Sequence, residues 1–155
     1  MEQKTKIHAE NGKQDLVITR EFDLPLNLLF KAYAEPELVE QWMGNKVLKQ
    51  ESQKHGSYEY EVKSPQGDIL FKANGCFHEF DTNKRIVRTF EMENAHFDVQ
   101  LEFLEFEELT ATTSRLTMHV IYKSVQHRDK QLQLPFAYGI NMAHNRLEEV
   151  VNQLN

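Results

Sequence analysis

From Ser57 to Tyr122 the chain reads as successive short runs in which apolar and polar residues alternate at every second position. Tyr58, Tyr60 and Val62 fall on one face, against Glu59, Glu61 and Lys63 on the other. Ile69, Phe71, Ala73, Gly75 and Phe77 repeat the pattern, as do Leu116, Met118, Val120 and Tyr122. A period of two belongs to a strand with one buried face. Ser64–Asp68, Asp81–Lys84 and the reversal begun at Glu107-Glu108 supply turns. Connections this short fit an antiparallel meander, because a parallel neighbour needs a long crossover. The chain must therefore build a sheet with one apolar face, and something must cover that face.

The C-terminal segment offers the cover. Leu132, Phe136, Ile140, Ala143, Leu147, Val150 and Leu154 advance mostly by three or four residues, so the spacing predicts an amphipathic helix over 129–153. Pro135 falls inside that range and either kinks the helix or marks its true start. Gly139 would let helix and sheet approach closely. Before the alternating region, Asp15–Phe22 reads as a strand, with Leu16, Ile18 and Arg20 in one phase. Leu26–Ala34 and Glu37–Trp42 read as short helices, with Asp23 as a cap and Gly44 as a left-handed stop. Residues 47–52, 57–62, 69–80, 85–93, 96–106 and 111–122 complete the expected strands. The expected fold is α+β: a curved antiparallel sheet around a long C-terminal helix, with two short helices after the first strand. Residues 1–13 read as a short extension or edge segment and 14–155 as a single domain.

Composition narrows the function. The 155 residues carry 18 Lys and Arg against 24 Asp and Glu, for a formal net charge of −6, and no basic stripe. That argues against a nucleic-acid partner. No apolar run is long enough for a membrane span, and the polar start lacks a secretory core, so the expected setting is cytoplasmic. The single cysteine, Cys76, excludes an internal disulfide and cannot complete a structural zinc site. There is no phosphate loop, dinucleotide fingerprint, nucleophile elbow or paired metal-ligand spacing. No cofactor, metal or catalytic residue is assigned. His78, His96 and His119 lie on or beside predicted strands and could meet across the sheet. Separate surface or hydrogen-bonding roles are the simpler reading. Glu148 and Glu149 are read as solvent-facing.

The segment ITREFDLPLNLLFKAYAEPELVEQWMG, from Ile18 to Gly44, resembles the bacterial family related to the activator of heat-shock-protein-90 ATPase. That family lies within the START-like or Bet v 1-like superfamily (SRPBCC). The landmarks are Phe22, Pro25, Phe30, Pro36, Leu38, Trp42 and Gly44. Gly56, Tyr58 and Tyr60 are similar to the family's Gly-x-aromatic-x-aromatic strand, and 83–89 with the C-terminal segment extend the likeness to the chain's end. Tyr138 stands where many relatives have tryptophan. The resemblance implies a helix-grip fold and permits a hydrophobic-ligand cavity; it implies no single activity.

Strand phase and helix stripe together nominate the cavity wall: Tyr58, Tyr60, Phe71, Phe77, Phe103, Met118, Tyr122, Phe136, Ile140 and Ala143, with His144 close to the stripe. For each, plain core packing is the competing role. The tyrosines join apolar area to a hydroxyl, the mixture a small-molecule site uses. The expected function is non-catalytic binding of a hydrophobic or amphipathic small molecule between sheet and helix. The alternative is a stress-response or chaperone-associated protein-interaction domain.

Overall fold

The computed structural model describes residues 3–93, 98–133 and 135–154. Among them eight strands form one antiparallel sheet: β1 (Lys6–His8), β2 (Asp15–Phe22), β3 (Lys46–Gln50), β4 (Ser57–Lys63), β5 (Ile69–Asp81), β6 (Arg85–Met92), β7 (Gln100–Thr110) and β8 (Thr113–Ile121). Their spatial order is β1-β2-β8-β7-β6-β5-β4-β3. The meander from β3 to β8 is thus closed by β2, which pairs with β8, and by β1 at the far edge. Register shifts at Val47/Lys49, Val62/Lys63, Phe77/Glu79 and Glu108/Thr110 interrupt the ladder. Such bulges increase local twist and help the sheet curve.

Helices α1 (Leu26–Ala34) and α2 (Pro36–Met43) follow β2. The Pro25 carbonyl, rather than Asp23, receives the first amides, from Leu28 and Leu29 at 3.0 and 3.1 Å. Pro36 separates the helices because the residue before a proline is pushed out of the helical region; Glu35 is extended, at φ −96° and ψ 118°. Gly44, at φ 71°, ends α2 in the left-handed conformation that glycine tolerates.

Of the two readings of Pro135 within the helix expected over 129–153, the second holds: the long helix starts there, and a separate short helix precedes it. Helix α3 (Val125–Leu132) starts at the Ser124 cap, whose hydroxyl accepts the His127 amide, and α4 (Phe136–Asn152) starts after Pro135. Proline at a helix start needs no donor, whereas inside a helix it would break one bond and clash with the preceding turn.

The buried faces of β2, β4, β5, β7 and β8 meet α1, α2 and α4 in one core. The backbone of α4 runs closest to α2 and α1 rather than to any strand. At the α1 end the core is solid. Phe30 stacks edge-on against Phe80 and Phe106, with ring centroids 5.5 and 4.9 Å away. Tyr58 lies between Tyr60 and Phe77 at 4.9 and 5.1 Å. A Cβ on Gly75 would collide with the Thr89 carbonyl and the Tyr58 ring, so glycine is what lets Tyr58 lie across β5.

Candidate functional site

Where α4 stands off the sheet, a cavity of about 570 Å³ opens between α3, α4, the edges of α1 and α2 (Tyr33, Trp42, Met43) and the inner faces of β2, β5, β6, β7 and β8. Its volume falls within the common range for small-molecule sites, and its wall is mostly apolar. Phe71, Phe90, Met92, Met118, Val120, Phe136, Ile140 and Ala143 supply most of that wall. A larger groove beside β1 and β2 is lined instead by Lys4, Lys6, Glu21, Asp23 and Arg115. There Arg115 is already engaged by Glu21 and Glu107, at 3.0 and 2.9 Å.

Seven of the eleven nominated residues line the cavity: Phe71, Met118, Tyr122, Phe136, Ile140, Ala143 and His144. Four do not. Tyr58, Tyr60 and Phe77 belong to the solid core, each almost wholly buried. Phe103 is on the opposite face of the sheet, where its ring lies 6.1 Å from that of His119. The expected phase of β7 is therefore reversed. Gln100, Glu102, Leu104 and Phe106 point inward; Leu101, Phe103 and Glu105 point outward. This strand carries apolar residues in both phases, so a shift of one exchanges every side chain between faces. The cross-strand register settles it, pairing Leu104 with inward Met118 and Glu102 with inward Val120. Phe97 and His96, placed on the same expected strand, lie outside the described residues.

The reversed phase brings an ion pair into the cavity wall. Arg88 on β6 sits directly opposite Glu102 on β7 and donates from Nε to Oε1 at 2.8 Å. Gln100 donates to the other carboxylate oxygen at 2.7 Å. All three residues are buried. Burial works against the Arg88 charge, but Glu102 together with Tyr58 and Tyr60 outweighs it and holds the guanidinium protonated. The cation also lies 5.9 and 5.7 Å from the Tyr33 and Tyr58 ring centroids. A signal for this pair was present in the sequence: an arginine amid Ile86, Val87 and Phe90, facing a Gln-x-Glu in phase with Leu104 and Phe106.

A second polar cluster braces α4. Arg20, buried on β2, reaches Glu148 at 3.3 Å, so Glu148 faces a partner rather than open solvent. The same guanidinium donates to the Thr5 hydroxyl at 3.3 Å and to Asn141 Oδ1 at 3.4 Å. Thr5 Oγ1 lies 2.8 Å from His144 Nδ1, and the Thr5 amide donates to Asn141 Oδ1 at 3.1 Å. Arginine can only donate, so the Thr5 hydroxyl accepts from Arg20 while sharing a hydrogen bond with His144 Nδ1. Burial, aided by the Arg20 charge, lowers the His144 pKa to about 3. His144 is thus neutral at physiological pH while its ring borders the cavity.

Two polar atoms of the lining residues stand apart from these clusters. Tyr122 Oη, just beyond β8, and Gln131 Oε1, on α3, are buried without a hydrogen-bond partner. Both residues are more than nine-tenths buried. Burial first, then the Glu102 charge, raises the Tyr122 pKa, so its phenol stays protonated. Trp42 both borders the cavity and anchors α2, donating from Nε1 to the Ala32 carbonyl at 2.8 Å.

The remaining candidates are scattered. His78 is exposed on β5, its ring 6.2 Å from that of His55, while His119 on β8 meets Asp15 at 2.7 Å. Among the described residues no group of three or more His, Cys, Asp or Glu could hold a metal ion. Cys76 is exposed. No helix of the described residues is long and apolar enough to cross a membrane.

A curved antiparallel sheet that grips a C-terminal helix, with two short helices after an early strand, defines the Bet v 1-like helix-grip class. Solved structures agree across nearly the whole chain. A protein from Arthrobacter aurescens, solved by solution NMR, is similar with TM-score 0.83 and 15% identity, covering 96% of this chain and 91% of that one. A crystal structure from Rhodobacter sphaeroides gives TM-score 0.82 and 19% identity over 96% and 99% of the two chains. A Staphylococcus epidermidis protein gives 0.78 and 24%, covering 94% of each. At these identities the likeness establishes the fold. The family described as Activator of Hsp90 ATPase homolog 1-like protein matches residues 23–152, and the chain belongs to it. No curated protein sequence matches the chain.

Proposed function

We propose that the protein binds a hydrophobic or amphipathic small molecule, without catalysis, in the cavity between the curved sheet and α4. The observation that carries this reading is the cavity itself: about 570 Å³ bounded mostly by apolar side chains from β2, β5, β6 and β8 and from α1, α2 and α4. A core that only needed filling would close such a space, because protein interiors pack like organic crystals. The polar groups in the wall are few and held in place, which suits orientation of a mostly apolar guest. Glu102 is already engaged by Arg88 and Gln100, and His144 by Thr5. The family's description keeps a protein partner as the second reading, and among the described residues the large exposed apolar side chains are Leu48, Ile69, Leu70, Val99, Tyr138, Met142 and Leu154.

Purification under native conditions, followed by solvent extraction and mass spectrometry, tests the first reading. An apolar or amphipathic compound should be recovered in near-stoichiometric amount. Recovery of none, with no apolar probe binding to the purified protein, would oppose it.

A further inference from the structure

The charge balance and unpartnered atoms of the cavity specify its guest more closely. Among its described lining residues the ionised side chains are Arg88 and Glu102, and they neutralise each other across 2.8 Å. His144 adds no charge at physiological pH. A carboxylate, phosphate or ammonium group entering this wall would lose its hydration without finding an uncompensated opposite charge, which strongly disfavours a buried ion. The wall is not indifferent to polarity, however. Tyr122 Oη can donate and accept, Gln131 Oε1 accepts, and neither has a protein partner although both are buried. Buried polar atoms are normally satisfied, so two exceptions bordering one cavity call for an explanation.

We infer that the guest is an uncharged, largely apolar molecule bearing a hydroxyl group, and that this hydroxyl is held by Tyr122 and Gln131. A hydroxyl fits both because it accepts from the phenol and donates to the amide oxygen; an ether or ketone could only accept. Both atoms are closed off from solvent, so seating the hydroxyl requires a small rotation of these side chains as the guest enters. The inference rests on the small-molecule reading above.

Three probes sharing one ring system separate the two ideas: 9-anthracenemethanol, 9-methylanthracene and anthracene-9-carboxylate, each titrated by fluorescence. The alcohol should bind about tenfold more tightly than the methyl compound, the size of effect expected when buried polar groups gain or lack a partner. The carboxylate should bind most weakly. In Tyr122→Phe and Gln131→Leu the preference for the alcohol should shrink to about twofold while the methyl compound binds as before, which also shows that the variants are folded. Equal affinity for alcohol and methyl compound in the native protein would overturn the hydroxyl seat and leave the cavity reading standing. So would tightest binding of the carboxylate. Failure of all three to bind would overturn both.

Discussion

The two ends of the sheet's inner face are made of similar residues and finished differently. Under α1 and α2, aromatic rings interlock and the polar ends of the large side chains are satisfied. Tyr58 Oη donates to the Thr89 carbonyl, Tyr60 Oη to Gln50 Oε1 at 2.9 Å, and Trp42 Nε1 to Ala32. Under the α3–α4 junction the wall stands open, and Tyr122 and Gln131 each keep a buried polar atom without a partner. Size and hydrophobicity do not separate the two ends, since tyrosines serve both. The difference is that the core tyrosine hydroxyls Tyr58 and Tyr60 have partners, whereas the Tyr122 hydroxyl in the cavity wall has none.

The largest expected effect concerns the ion pair in the open half. Arg88→Met leaves Glu102 buried without its cation and should destabilise the protein by about 3–5 kcal/mol. The double variant Arg88→Met, Glu102→Leu should recover most of that loss, because a well-packed apolar pair can replace a buried ion pair. Urea denaturation of the three proteins checks this. A double variant as unstable as the single would show that the pair is not what holds the strands there.

A smaller effect follows from His144. Its folded pKa of about 3 lies below the ordinary value of 6.5. The unfolded chain therefore takes up a proton below pH 6.5 that the folded protein refuses, and stability falls as pH drops. Between pH 7 and pH 5 this group should remove about 2 kcal/mol. The loss continues until the pH reaches the folded value. In His144→Gln, which cannot charge, denaturation midpoints across the same range should shift less by that amount. Arg20 and Glu148 remain in place in both proteins. Identical pH slopes would mean that His144 protonates freely when folded.

The smallest expected effect tests the comparison between the two ends most narrowly. Tyr60→Phe removes a satisfied hydroxyl and should cost about 1 kcal/mol. Tyr122→Phe removes an unsatisfied one and should be neutral or slightly stabilising. Equal losses from both, read as urea midpoints with unchanged slope, would erase the distinction drawn here.

Much of this architecture was legible from periodicity. Leu26–Ala34 matches α1, and the alternating runs match β4, β5 and β8 because most of the apolar residues of each fall in one phase. Strand β7 was not legible, since Leu101 and Phe103 compete with Leu104 and Phe106, and only pairing with β6 and β8 decides which set faces inward. The site was partly legible for a related reason. Periodicity places a residue on the inner face but not at the filled or open end, so Tyr58 and Tyr122 looked alike. Gly139 shows the same limit. Its expected role was close approach, yet a Cβ there would meet nothing within 4 Å, and the residue borders the cavity instead. The separate α3 escaped notice because its buried residues include Arg128 and Gln131, which break an apolar stripe.

Gly139 also provides the most direct test of the central claim, that the open half is a binding cavity and not a loosely packed core. Gly139 is exposed where it borders the cavity, and a Cβ there meets no atom within 4 Å outside its own helix backbone, so leucine should favour the helix by about 0.5–1 kcal/mol and narrow the cavity mouth. The measurement is native mass spectrometry of wild type and Gly139→Leu, purified in parallel, scored for mass carried per protein molecule. Binding predicts a near-stoichiometric adduct on the wild type and its loss from a Gly139→Leu protein that melts no lower. A wild type that carries no adduct and takes up no added apolar probe, or equal adduct on both proteins, would contradict it.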